Sequence, residues 1–322
     1  MTSRVLILGG TAWLGRHLAA AALERGAAVT CLARGESGSP PDGVEWVRGD
    51  RSRPDAYDEL DGEWDHVIDV ARVPSHVASA VATLRGRAAQ WTFISTGSVY
   101  ADQSVPLHED SPLLPAGDDD AEYGSAKVAC EQFVGPDALV VRAGLIVGPG
   151  DPSDRGGYYV ARMSAAREEP VVVPAVRDQP MQMVDVRDLA GWVVELADRG
   201  VTGVVHGAGE RTTVGHLLDV SAQVAEHAGD RVEFSPDELT ARGANPWAGE
   251  RSLPWWLPTS HHGMGRMDDA RALQLGLERR PIAATLTDVL ADEQQRGVDR
   301  PRRAGLSRTD ELELLHSRGG QA

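Results

Sequence analysis

The chain has 322 residues, of which 42% are hydrophobic and 25% charged, the make-up of a globular protein with one large core or two modest ones, which excludes a disordered chain. A formal charge of -16 repels polyphosphate backbones and no basic face interleaved with aromatics occurs, so the expected partner is a small molecule and not nucleic acid. The two cysteines, Cys31 and Cys130, lack CxxC spacing and a nearby histidine cluster, which argues against a disulfide framework or zinc site; no metal is expected.

"RVLILG" (Arg4 to Gly9) enters a β-pattern at once, without the layout of a signal peptide or an apolar run of membrane length, so a cytoplasmic protein with no membrane partner is expected. A helix follows from about Trp13 to Arg25, then strands at Ala28 to Ala33, in "VEWVRGD" ending at Asp50, and at His66 to Ala71. Next come a helix near Ser75 to Leu84, a strand at Trp91 to Thr96, a helix carrying Tyr123 and Lys127, and a strand at Ala138 to Gly144. Short apolar strands separated by helices imply an α/β fold with a doubly wound parallel sheet, because each crossover lays a helix on one sheet face. Residues 1–150 are thereby expected to form a dinucleotide-binding domain of Rossmann-like design.

After about Gly148 the rhythm breaks at the glycine- and proline-rich "VGPGDPSDRGGYY". Later segments mix helices (Leu189 to Asp198, Val214 to Ala228, Ile282 to Arg296) with short strands, so 151–322 reads as a smaller, partly discontinuous, mainly substrate-binding region, with some segments returning to the first domain. The acidic segments "HED" and "GDDDAE" flank the Tyr123 helix and suit its N-terminus as caps against the helix dipole. "RRAGLSRTDELELLHSRGGQA" reads as a charged helix with a frayed end.

"LILGGTAWLG" sets Gly9, Gly10 and Gly15 between the first strand and first helix. The first glycine serves a tight turn, the last a close helix–strand contact, and the amides of the loop Gly9, Thr11, Ala12, Trp13, Leu14 and Gly15 suit a pyrophosphate. Ala12 holds the middle position of the G-x-x-G-x-x-G pattern, small enough for close approach although a positive φ there would be disfavoured. At the end of the second strand an acidic residue would receive the ribose hydroxyls of NAD; the chain offers Arg34, whose guanidinium suits a 2′-phosphate, so NADP(H) is favoured over NAD(H). Asp50 could bond an adenine amino group or merely form a turn.

Lys127 is the only lysine among 32 basic residues, and it lies four residues after Tyr123, on the same helix face. A phenol titrates near pH ~10 and is a poor acid/base at neutrality, but a nearby ammonium and an oxidised nicotinamide favour the phenolate. Lysine's compact head can reach ribose hydroxyls while leaving room for the phenol, where an arginine fork is bulkier. "FISTGSVYAD" adds Thr96 and Ser98 at the C-terminal edge of the sheet, and either hydroxyl could hold a substrate oxygen beside the phenol.

"GGTAWLG", "ISTGSVY", "YGSAK", "RAGLIVGPGD" and "MVDVRDLA", in this order, resemble the short-chain dehydrogenase/reductases of the extended, epimerase/dehydratase-like branch. The resemblance implies Tyr123 as acid/base, Lys127 as the ribose-binding residue that tunes it, and Thr96 in the catalytic Ser/Thr position. Gly144 and Leu145 would line the nicotinamide, and Arg51 and Ala71 complete the expected cofactor-binding set. Dehydratases of the branch follow the threonine with Asp-Glu; Gly97-Ser98 here disfavours dehydration. Nucleotide-sugar members often carry an arginine and a histidine in the stretch aligned with "MQMVDV", which has neither, and Asp185 takes the histidine position.

In "NPWAGERSLPWWLPTSHHGMG", Trp247 and Trp255 could form a lid over an apolar substrate or anchor the loop on the core, and Ser98 joins them as an expected substrate contact. Tyr158 and Tyr159 could border the same pocket or pack in the core. The expected activity is an NADP(H)-dependent oxidoreductase interconverting a carbonyl and a secondary alcohol of a small organic substrate. An epimerase that takes and returns hydride is the alternative, and a non-catalytic dinucleotide sensor the third. A homodimer is compatible with the chain.

Overall fold

The computed structural model describes residues 2–118 and 121–319. In chain order the main strands are β1 (Arg4–Leu8), β2 (Ala28–Ala33), β3 (Glu45–Arg48), β4 (Trp64–Asp69), β5 (Ala88–Thr96), β6 (Leu139–Ala143), β7 (Leu145–Val147), β8 (Val171–Pro174), β9 (Pro180–Asp185), β10 (Gly203–Gly207), β11 (Glu210–Thr213) and β12 (Arg231–Phe234). The helices that matter below are α1 (Trp13–Glu24), α2 (Pro74–Leu84), α3 (Tyr123–Val134), α4 (Tyr158–Ala166), α5 (Val186–Asp198) and α6 (Val214–Val224).

By contacts the chain divides into two compact units. The first comprises Met1–Gly144, Val186–Ala208 and Met267–Glu278 and holds a seven-stranded sheet in the order β10-β6-β5-β4-β1-β2-β3. Every neighbouring pair is parallel, so the fold is the Rossmann-like doubly wound α/β type. β1 is flanked by β2 on one side and β4 on the other; at this reversal of strand order the C-terminal strand ends open a crevice that serves ligands in such sheets. The inner strands are covered on both faces, which is why they read as continuous apolar runs. Leu6, Leu8, Leu32, Val67, Trp91, Phe93 and Val140 belong to one core cluster with Val77, Leu84 and Val134 of the helices.

The second unit comprises Leu145–Asp185, Gly209–Arg266 and Arg279–Ala322. It contains a sheet in the order β11-β9-β7, a β12-β8 pair, and the helices α4, α6 and Ile282–Arg296 packed on one another. Its core gathers Tyr158, Tyr159, Leu217, Phe234 and Trp255.

Asp119 and Asp120 of the acidic run, and the expected frayed end at 320–322, lie outside the described residues. Glu122 is the N-cap of α3 but its side chain makes no capping bond, and the first turn holds no acid, so this helix start is not capped by the carboxylate expected there. Among the described residues no helix is long and apolar enough to cross a membrane.

Candidate active site

The glycine turn is built by close approach. Gly9 sits at φ +94°, and a Cβ on Gly10 would lie 2.1 Å from Cys31 Sγ. One on Gly15 would lie 2.2 Å from the Gly9 carbonyl oxygen, so only glycine allows α1 to start this near β1. Ala12 is the N-cap of α1 at φ -70°, ψ 158°, an extended conformation that alanine adopts without strain. The expected conflict at this position does not arise. No N-cap side chain bonds to the start of α1, and its first-turn amides lie at the positive end of the helix dipole, which favours an anion. Thr11 is buried beside them, and Trp13 meets His17 edge-on at 6.0 Å. A tight backbone cradle that side chains would fill, at the positive end of a helix, fits a dinucleotide pyrophosphate.

Thr96 ends β5 and its Oγ1 accepts from the Ser98 amide at 3.2 Å, which caps the short 3-10 turn Gly97–Val99. The same hydroxyl donates to Ser98 Oγ at 3.3 Å. A Cβ on Gly124 would lie 2.3 Å from the Ser98 carbonyl oxygen, so the first turn of α3 is pressed against this turn. Tyr123 opens the helix immediately before that contact and is 41% exposed.

One helical turn on, Lys127 is buried. Its Nζ donates to the carbonyls of Ala71 at 2.7 Å and Ile94 at 2.5 Å and lies 4.3 Å from the centre of the Phe93 ring. β4 has already ended at Asp69, so the ammonium fills the gap left between the ends of β4 and β5. Burial pushes its pKa down to about 8, against the opposing pull of Cys130, Asp69 and Glu131.

Behind Thr96 lies a polar group that reading the strands singly does not reveal. Glu131, one more turn along α3, accepts from Ser95 Oγ at 2.5 Å and forms a two-pronged ion pair with Arg142 at 3.1 and 2.7 Å. Arg142 also donates to the Tyr100 hydroxyl at 3.0 Å, which is 2.5 Å from His206 Nε2. The available signal was an arginine and a histidine inside "LVVRA" and "GVVHG", since charged residues in buried strands need partners.

The other expected cofactor residues divide. Arg34 is exposed and pairs with Glu36 at 2.9 Å. Asp50 accepts from the amide and hydroxyl of Ser52, the turn-forming alternative. Arg51 was expected at the cofactor; its guanidinium instead binds both oxygens of buried Asp69 at 2.8 and 2.6 Å and the His76 carbonyl, and so acts as a strut under the strand ends. Asp69 in turn accepts from the Ala71 amide at 2.9 Å, which orients the carbonyl that holds Lys127. The Gly144 amide donates to the Gly207 carbonyl at 3.0 Å, and Leu145 opens β7.

Of the residues expected at the substrate, Ser98 stands beside Thr96, whereas the tryptophans belong to the second unit. Trp255 has no exposed surface; its ring lies 4.6 Å from that of Tyr159, so it anchors the segment in the core and does not act as a lid. Gln179 fastens this stretch by donating to the Trp255 carbonyl and accepting from the Leu257 amide. Trp247 is partly buried against the same core, with the Arg155 guanidinium 4.6 Å from its ring. Tyr158 and Tyr159 are core residues too, with burial pushing both phenols up.

A model of the RmlD substrate binding domain family matches residues 3–244. The dTDP-6-deoxy-L-talose 4-dehydrogenase (NAD(P)(+)) of Kitasatospora kifunensis is 28% identical over 304 residues, spanning 78% of this chain and 92% of its own. The UDP-glucose 4-epimerase of Azospirillum brasilense is 27% identical over 336 residues, 86% of this chain and 93% of its own. Among solved structures, the Bordetella bronchiseptica enzyme WbmH in complex with NAD+ superposes with a TM-score of 0.66 at 20% identity, over 92% of this chain and 100% of that one, a likeness of fold.

Proposed function

The chain belongs to the RmlD substrate binding domain family, an NAD(P)-dependent branch of the short-chain dehydrogenase/reductases, and from that premise we propose that it is an NADP(H)-dependent oxidoreductase interconverting a carbonyl and a secondary alcohol. The observation that carries the reading is the enclosed Lys127 ammonium at the C-terminal edge of the sheet, one helical turn from Tyr123, on a helix pressed against the Thr96–Ser98 turn.

The glycine turn at Gly9–Gly15 and the start of α1 would hold the cofactor's pyrophosphate, and Arg34 its 2′-phosphate. Arg34 must then leave Glu36, a small loss because exposed ion pairs are worth about 0–1 kcal/mol. When bound, the nicotinamide supplies the hydride. Tyr123 donates a proton to the carbonyl oxygen during reduction and takes it back during oxidation. Thr96 donates a hydrogen bond to the same oxygen. Lys127 stabilises the phenolate left on Tyr123, and positioned proton transfer of this kind contributes about 10²–10⁴-fold.

An epimerase is the second reading, favoured by the similarity to the Azospirillum brasilense enzyme. Nucleotide sugars are a substrate class of such relatives, but the "MQMVDV" stretch offers a phosphate no cation of its own. There Gln182 donates to the Gly209 carbonyl and Asp185 accepts from Thr285. The deciding experiment follows consumption of NADPH and NADH with a panel of ketones and aldehydes, and reduction of NADP+ and NAD+ with dTDP-6-deoxy-L-talose. Net turnover that prefers the NADP(H) pair is expected. Tightly retained cofactor and sugar inversion without net redox change would replace this reading with the epimerase.

A further inference from the structure

Ser95, Arg142 and His206 form one row across three adjacent strands, paired in register Ser95 with Arg142 and Arg142 with His206. The next row is Thr96, Ala143 and Gly207. All three polar residues are buried, at 3%, 3% and 0% exposure, so each is costly unless satisfied.

Their bonds have a determinate direction. His206 Nδ1 is 2.7 Å from the Asp268 carbonyl oxygen, which can only accept, so Nδ1 carries the proton. Burial holds the imidazole below its ordinary pKa, with the Asp268 carbonyl, Glu109 and the Asp268 carboxylate opposing and Arg142 pushing the same way as burial, and in the neutral Nδ1–H tautomer Nε2 accepts. With Nε2 an acceptor, the Tyr100 hydroxyl donates to it while its oxygen receives a bond from Arg142. From Ser95 through Glu131, Arg142 and Tyr100 to His206 every link is thus made.

Two members of this chain, Glu131 and Tyr100, meet the two halves of the site. Glu131 is fixed to β5 and β6, and Tyr123, Lys127 and Glu131 follow one another at four-residue steps on one helix face, so this bond sets the height and rotation of α3. Tyr100 ends the turn that begins at Thr96, so its bonds to Arg142 and His206 fix that turn.

We propose that Ser95, Glu131, Arg142, Tyr100 and His206 are positioning residues that hold Tyr123 and Lys127 in place against Thr96. The proposal rests on the acid/base reading of Tyr123, and its test needs no substrate. Ultraviolet difference titration of the NADP+ complex, wild type minus Tyr123→Phe, reads the ionisation of Tyr123 alone. The wild type is expected to show this phenol titrating below the ordinary value of ~10. His206→Leu moves it up by about one pH unit, a tenfold drop in its ionisation constant, because the phenol loses its fixed place beside the ammonium. His206→Gln, whose amide oxygen can accept from Tyr100 where Nε2 did, restores the wild-type value. Should His206→Leu fail to fold, Ser95→Ala, which removes one hydroxyl, gives a smaller shift in the same direction. Unmoved titration in the folded variant overturns the proposal. A wild type with no phenol titrating below the ordinary value is a separate result: it removes the acid/base role of Tyr123, and the positioning role with it.

Discussion

Glu131 in the first unit and Glu293 in the second are both buried carboxylates gripped by arginines, yet their surroundings differ. Glu293 faces Arg296, Arg300 and Arg302, and Arg296 and Arg300 also reach the buried Asp154. This cluster is all charge, with redundant cations, and it fastens the segment after the Ile282–Arg296 helix to the loop before α4. Glu131 has one arginine, and the remaining links are neutral and directional: Ser95, Tyr100 and His206. A buried ion cluster is therefore no sign of a site by itself; what separates the two is that Glu131 shares a helix face with Tyr123 and Lys127 and binds Ser95 and Arg142, the sheet row next to Thr96.

The comparison can be broken by exchanging the carboxylates for amides. Glu131→Gln should lower kcat by about 10²-fold, since misplacement of this order has that cost. Glu293→Gln should leave kcat within about twofold and lower stability by about 3 kcal/mol in urea unfolding, the range for breaking a buried pair. Equal effects of the two on kcat would erase the distinction.

Lys127 sharpens it further, because its two acceptors are neutral carbonyls and its charge is held at the expense of burial. With the folded pKa at about 8 and the unfolded one at lysine's ordinary value of 10.5, the folded protein loses this proton first as pH rises. The penalty of the buried charge is present below pH 8 and relieved between pH 8 and 10.5. Stability of the wild type relative to Lys127→Met should thus rise through that window, at up to about 1.4 kcal/mol per pH unit, as measured by unfolding at matched pH values. A flat difference would mean that the ammonium is not buried.

Much of this was open to reading from sequence. The β2 run "AVTCLA" and the helix Ile282–Arg296 have the expected bounds, because apolar runs and helical periodicity are local properties. α6 was expected to reach Ala228 but stops at Val224, where Ala225 caps it and Glu226 turns to φ 51°. The Tyr123–Lys127 pair and the glycine turn were legible because helix spacing and chain order alone bring their parts together. The Ser95, Arg142 and His206 row was not, since those residues are 47 and 64 positions apart in sequence and meet only through strand register. Nor could composition tell that Trp255 is core and Arg51 a strut; both needed the partners that folding supplies.

The central claim is that the Tyr123 phenol moves the proton that accompanies hydride transfer. Its most direct test is single-turnover oxidation of bound NADPH by the carbonyl that the wild type reduces fastest, compared between wild type and Tyr123→Phe at saturating cofactor. The account predicts a rate lower by about 10²–10⁴-fold in the variant, with NADPH binding unchanged. A Tyr123→Phe protein that transfers hydride at the wild-type rate would contradict it.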